Sequence, residues 1–395
     1  MNMRTTRRAR AVPLVLATVV ATLLTACSQS GSDSSGSGSG SQNSATTTKA
    51  DKALAALKDK VLSVGPNGEQ ASPAAAVTLT DAQIAQVKGM NATAAIVMHY
   101  GGNDWSTAQI AGLKSEFGRL GIQVVATTDA NFKPEQQVSD IETVMTKKPS
   151  VIVSIPTDPV ATADAYRAAA QAGTKLVFMD NVPKGFKAGT DYVSMISADN
   201  EGNGETAAHL LARNLGGKGN IGVIFHNADF FVTQQRYDGF QKVLKANYPN
   251  IKIVAKQGIA GPDFAGDAQS AANAMLSKNP NLDAIWAVWD VPAEGVLAAA
   301  RASGRSDLKV ITEDLGLNVA IAMAKKQLVI GLGAQRPFDQ GITEARVAAL
   351  SLLGQQVPPY LAWNSLAVDH GNVLEAWKTV YHADPPSQLA DSFTK

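Results

Sequence analysis

Cysteine is almost absent from this 395-residue chain, Cys27 being the only one. The body beyond it can form no disulfide, so its stability has to come from buried apolar surface. A chain of this length can supply that surface, as two domains. Imbalance of charge is missing too: the formal net charge is +1, which offers nothing to attract nucleic acid. The longest apolar run, 11–24, has 14 residues, short of the roughly 20 that a membrane-crossing helix needs. Catalytic signatures are equally scarce. The histidines, His99, His209, His226, His370 and His382, show no metal-ligand spacing, and no Gly-Lys-Ser/Thr phosphate loop occurs. Gly331-Leu332-Gly333 lacks the third glycine of a dinucleotide fingerprint. These absences favour a binding protein with no cofactor and no metal over an enzyme. An exported hydrolase whose Ser, His and Asp meet only in space is the remote alternative.

What is present begins with an export signal. Arg4, Arg7, Arg8 and Arg10 precede the apolar run, which stops at Leu24-Thr25-Ala26-Cys27. Residues 1–27 resemble a bacterial lipoprotein signal, in which the cysteine is acylated before cleavage, and two acyl chains make a firm anchor where one is marginal. The expectation is an extracytoplasmic protein, lipid-anchored through Cys27, on the periplasmic side or the outer surface of its membrane. Removing the signal leaves 31 basic against 34 acidic residues. Residues 28–50 are Ser, Gly and Thr with few apolar side chains, a composition expected to form a disordered tether. Residues 51–90 read as an N-terminal helical extension of unassigned role.

From about Thr80 onward, short β-branched runs alternate with amphipathic segments. The runs at 94–99, 123–128, 150–155 and 175–180 form one series; those at 220–226, 252–258, 283–289, 309–314 and 328–335 form a second. Between them Ile110, Leu113, Phe117 and Leu120 recur at helical spacing and end at Gly121, a left-handed C-cap. Thr80 with Gln83, and Ser106 with Gln109, read as capping boxes at helix starts. Continuous apolar strands joined by crossover helices give an α/β protein of two doubly wound parallel-sheet lobes.

In such sheets ligands bind beyond the carboxyl ends of the strands. The residues there are Asn103, Asp104 and Trp105, then Asp158, then Asp180 and Asn181. The second series contributes Asp229, Phe230, Arg236, Phe264, Trp289, Asp290, Asp314 and Gln335. Carboxylates accept from hydroxyls, Arg and Asn donate to ring or hydroxyl oxygens, and aromatic faces cover the C–H side of a ring. That set suits an uncharged polyhydroxylated ligand. Asp158, ahead of Pro159, reads as a helix cap instead. Of the two tryptophans, Trp289 at the strand end is the site candidate and Trp286 the core residue.

Residues 92–380 resemble the ribose- and galactose-type periplasmic binding proteins of sugar ABC transporters. The resemblance rests on Asn103-Asp104-Trp105 with Gly112, Ile155-Pro156-Thr157-Asp158, Asp180, Ser197-Ala198-Asp199-Asn200, Arg236-Tyr237-Asp238-Gly239-Phe240 and Gln335-Arg336-Pro337, in that order. It implies that Asn103, Trp105, Asp180, Arg236, Trp289, Asp314 and Gln335 contact a sugar. It further implies a monomer working with membrane permease subunits, and a three-segment hinge crossing near Ala198, Gln335 and Pro358-Pro359. The expected domains are 92–198 with 336–359 for lobe 1 and 199–335 with 362–380 for lobe 2, ahead of a C-terminal tail at 381–395. Two departures stand out: ribose-binding members carry arginine where this chain has Asn181, and asparagine where it has Trp289. The ligand, a sugar or polyol, is therefore not read as ribose is. The family also contains receptors for a sugar-like signal, which is the alternative role.

Overall fold

A computed structural model describes residues 38–394 of the chain. Lobe 1 is built on β1 (Ser72–Pro73), β2 (Thr93–Met98), β3 (Gln123–Asp129), β4 (Val151–Ser154), β5 (Lys175–Met179) and β6 (Met195–Ala198). Lobe 2 is built on β7 (Lys218–His226), β8 (Asn250–Ile259), β9 (Ala284–Ala287), β10 (Lys309–Glu313) and β11 (Val329–Ala334). The chain returns to lobe 1 for β12 (Tyr360–Trp363) and ends in lobe 2 with β13 (Leu366–Val368). The sheet orders are β1-β12-β6-β5-β4-β2-β3 and β13-β11-β10-β9-β7-β8. Every pairing is parallel except that of β13 with β11.

The helices are α1 (Gly38–Leu57), α2 (Asp81–Gly89), α3 (Asp104–Leu120), α4 (Pro134–Met145), α5 (Ala163–Gln171) and α6 (Asn200–Leu215). Then come α7 (Phe231–Asn247), α8 (Phe264–Lys278), α9 (Asp290–Ala302), α10 (Leu317–Ala324), α11 (Pro337–Leu352), α12 (Val373–Tyr381) and α13 (Ser387–Ala390). They cover both faces of the sheets, which is why β2, β4 and β9 are wholly apolar or small inside and lack a polar alternation. In each lobe the winding reverses at the first strand of its series, β2 between β3 and β4, and β7 between β8 and β9. Those reversals open the crevices in which a site can form.

All nine expected strands are present, and Gly121 closes α3 at φ 70°. The Thr80–Gln83 capping box is formed. The second box is not. Asn103, not Ser106, caps α3, accepting from the Ser106 N–H at 2.7 Å, and Gln109 lies inside the helix, bonded to Glu344. Asp158 accepts from the N–H groups of Val160 and Ala161, a turn that precedes α5 without starting it.

The hinge differs from expectation in one place. Because β12 pairs with β6, residues 360–363 belong to lobe 1, and the third crossing falls at Asn364-Ser365 and not at Pro358-Pro359. The tail is also not free: Leu389 is fully buried and the Thr394 N–H donates to the Ala324 carbonyl.

The largest correction concerns the end of the expected tether, which is helical. Residues 38–57 form α1, held on lobe 2 by buried Ala50, by Lys49 Nζ on the Asn247 carbonyl at 2.8 Å and by the Arg213–Asp51 pair. Polar composition does not exclude a helix that has a surface to dock on. The loop that follows runs along the hinge. Asn364 Nδ2 donates to the Lys58 carbonyl, and the Ser63 N–H and hydroxyl both donate to Asp199 Oδ1, at 2.8 and 2.9 Å. Gln235 on α7 donates to the Val64 carbonyl. The segment then joins lobe 1 as β1, at the edge of its sheet beside β12. One continuous stretch therefore straps lobe 2, two hinge crossings and lobe 1. Residues 1–37, which include Cys27, the signal and the first part of the expected tether, lie outside the described residues.

Candidate ligand-binding site

The two sets of strand ends face each other across a cavity of about 60 Å³. A water needs about 10–15 Å³ of such space, so the cavity is of monosaccharide scale and too small for an oligosaccharide. One side of it is a hydrogen-bonded chain running from lobe 1 through the hinge to lobe 2. Asp180 follows β5 in a left-handed conformation, φ 51°, and accepts from the Ser197 hydroxyl at 2.6 Å. Ser197 accepts from Asn200 Nδ2, and Asn200 Oδ1 accepts from Arg236 Nε at 2.8 Å. Arg236 Nη1 pairs with Asp314 Oδ2 at 2.9 Å and donates to the Val288 carbonyl. Asp314, at φ 65°, also accepts from Gln335 Nε2. Only the hinge residue Asn200 lets the two lobes share this chain.

Burial sets the charge balance. It pushes the Asp180 carboxyl up to about 6, against the pull of the Ser197 hydroxyl and of Arg236. Burial, with Asp314, Glu294 and Asp104 nearby, raises Asp290 well above the usual carboxylate range. Burial also drives His99 down to about 3 and His226 to about 4, the latter helped by Arg236, so both are neutral. Arg236 is matched by Asp314. With Arg236 paired to Asp314, the wall offers no unpaired cation to an anionic occupant, while its carboxyl oxygens can accept from hydroxyls.

The other side is aromatic. His99 stacks on Phe230 at 5.5 Å across the cleft, and Phe132 stands edge-on to His99 at 4.7 Å and to Phe264 at 5.2 Å. Trp289 meets Phe264 at 4.9 Å and His226 at 5.4 Å. Among the buried polar atoms without a protein partner are Trp105 Nε1, His99 Nδ1 and Gln335 Oε1, each on a cavity-lining residue. Buried polar atoms of this kind are normally satisfied, and ligand hydroxyls could do it here.

Of the residues expected at the site, Asn103, Trp105, Asp180, Phe230, Arg236, Trp289, Asp290, Asp314 and Gln335 line the cavity. Asp229 is exposed outside it, and three others are also displaced. Asp104 instead accepts from the Leu317 N–H at 2.7 Å, joining α3 of lobe 1 to the start of α10 in lobe 2. Asn181 turns away and donates to the Pro156 carbonyl. Phe264 backs Trp289 from the second layer, 1% exposed. Trp286 is core, its Nε1 on Glu313. The sequence reading missed His99, Tyr100, Phe132, His226, Val232 and Thr233. Two of these had a usable signal: His99 directly follows β2 and His226 is the last residue of β7, the strands at which the winding reverses.

A profile of the periplasmic binding protein domain matches residues 94–356. The ribose import binding protein of Salmonella typhimurium is 26% identical over 269 residues, 67% of this chain and 86% of that protein. The D-apiose import binding protein of Actinobacillus succinogenes is 26% identical, covering 61% and 76%. Among solved structures, an ABC sugar transporter subunit from Rhodobacter sphaeroides superposes with a TM-score of 0.63 at 28% identity, covering 70% of this chain and 98% of that one. An ABC transporter periplasmic solute binding protein from Actinobacillus succinogenes with bound D-allose gives 0.64 at 25% identity, covering 71% and 99%. These neighbours are matched almost whole, and the hinge strap at 38–77 precedes the matched domain of this chain.

Proposed function

We propose, from the premise that this chain belongs to the periplasmic binding protein family as a sugar-binding solute receptor of the ABC transporter class, that it captures one monosaccharide or short polyol between its lobes and hands it to a membrane importer. The observation that carries this reading is the hydrogen-bonded chain that links Asp180 on lobe 1, through Ser197 and Asn200, to Arg236 and Asp314 on lobe 2 beside one small cavity. A single ligand can touch both groups only when the lobes are closed. Closure then signals occupancy to a permease, because it presents one surface made from both lobes. The relatives' names point to pentoses and hexoses, ribose and D-apiose among the former and D-allose among the latter. Trp289 in place of a small polar group favours a ligand with a broad C–H face.

The test is a thermal-shift screen of the protein from residue 38 onward against pentoses, hexoses and polyols. A true ligand at a hundred times its dissociation constant adds about 2.7 kcal/mol of stability. A complete panel without any shift would sink the sugar-capture reading.

We place the protein at the outer face of a membrane through an acylated Cys27, supported by its position after Leu24-Thr25-Ala26. Cys27→Ser should move the protein from the membrane to the soluble fraction. Mass spectrometry that finds an unmodified Cys27 thiol, or a retained signal, would overturn the anchor.

A further inference from the structure

Phe132 lines the cavity and its ring meets aromatic rings of both lobes. It lies 4.7 Å from His99 and 5.5 Å from Tyr100 in its own lobe. Across the cleft it lies 5.8 Å from His226, 5.6 Å from Phe230 and 5.2 Å from Phe264. It holds this place at a conformational cost. Asn131 and Phe132 are consecutive left-handed residues, at φ 47° and 57°. Asparagine tolerates that region, but for a bulky residue it is an outlier that persists only when the surroundings impose it.

The surroundings do so here. The Asn131 N–H is bound by Asp129 Oδ1, the Phe132 N–H donates to the His99 carbonyl at 2.7 Å, and the Lys133 N–H donates to Ala130. The topology explains the placement. Phe132 follows β3 as Phe264 follows β8, and β3 and β8 hold equivalent positions beside the reversal strands of the two lobes. Phe264 is wholly buried behind Trp289, whereas Phe132 is partly buried and lines the cavity itself.

We propose that Phe132 is the size-determining residue of the site: its ring closes the end of the cavity away from Asp180 and Arg236, limiting the ligand to an unsubstituted monosaccharide or polyol. The inference rests on the sugar-capture reading and adds to it which residue sets the upper size limit. It follows that removing the ring opens that end to an apolar substituent, while the acid–arginine chain that reads the hydroxyls stays intact.

The test uses Phe132→Gly, which keeps the left-handed backbone without strain, and Phe132→Trp, which enlarges the ring. Calorimetry of each, beside the wild type, is run with ribose, xylose, allose and galactose as free sugars and as their phenyl β-glycosides. The wild type should bind a free sugar and reject its phenyl glycoside at least hundredfold. Phe132→Gly should bring that ratio within tenfold, and Phe132→Trp should weaken hexoses more than pentoses. Melting temperatures show that both variants fold. A wild-type ratio retained in Phe132→Gly, with the free sugar bound as before, would overturn the size-limiting role and leave the sugar-capture reading standing. Wild-type protein that binds none of these compounds would remove both.

Discussion

Asp180→Asn should abolish sugar capture while leaving the unliganded protein at least as stable as the wild type. The carboxylate is 2% exposed, and one oxygen is already engaged by Ser197. The Ala198 backbone N–H also bonds this carboxylate; its remaining lone pairs, on a residue that lines the cavity, can accept from ligand hydroxyls, and hydrogen bonds to a charged group contribute about 1.5–3 kcal/mol each. Losing two such bonds weakens binding about a hundredfold or more. Stability moves the other way. The folded-state value is raised from 3.8 to about 6, so between those limits the folded protein retains a proton that the unfolded chain has released. Stability from this group is therefore fully present below about pH 4 and falls as pH rises through 6, by up to roughly 3 kcal/mol. The amide removes that loss. Melting curves at pH 5 and pH 7.5 should converge in the variant relative to the wild type. Ligand affinity in the wild type should run oppositely, full above pH 6 and falling up to tenfold per unit below it, because ligand hydroxyls need the carboxylate. A wild-type affinity flat from pH 7.5 to 5 would remove Asp180 from the ligand contacts.

Replacing Arg236 should have a different outcome, and the contrast tests the architecture. The sequence alone suggests that either member of the Asp180–Arg236 pair could be removed with the empty fold intact. Arg236 is, however, 3% exposed and holds Asn200, the Val288 carbonyl and Asp314 at once. Arg236→Met leaves Asp314 buried without its cation beside Glu313, whose carboxyl burial already pushes well above its ordinary range. Breaking a buried pair from one side costs about 3–5 kcal/mol. The melting temperature should fall by several degrees as binding is lost. Arg236→Lys should recover part of the stability and little of the binding, since a single ammonium cannot reproduce the fork that spans Asn200 and Asp314. Arg236→Met that melts with the wild type would mean that the chain of contacts through Asn200 does not hold the lobes.

Much of this architecture is legible in the sequence, and the exceptions have physical causes. Apolar runs followed by amphipathic segments place nine strands correctly because both sheet faces are covered, so the strands stand out as continuous apolar runs. Residues at their carboxyl ends then fall at the site by topology alone, as Asp180, Trp289, Asp314 and Gln335 do. β1, β6, β12 and β13 were not read, since two to four residues carry no periodicity and their pairing is set by distant neighbours. Asp104 and Asn181 were misplaced because each is adjacent in sequence to a site residue but projects differently, Asp104 to the start of α10 and Asn181 to Pro156. Phe132 was invisible because left-handed backbone at an aromatic residue has no signature in composition or spacing.

The strap over the hinge bears on how affinity is divided between contacts and freedom of motion. A receptor whose lobes swing widely when empty must give up that freedom each time it closes, and the ligand's contact energy is reduced accordingly. Here one loop is bonded to Asp199 at the first crossing and to Asn364 at the third, while its two ends are fixed to opposite lobes. The range of open geometries is narrowed before any ligand arrives. Less disorder is then lost on closure, so more of whatever contact energy a cavity this small supplies remains for affinity.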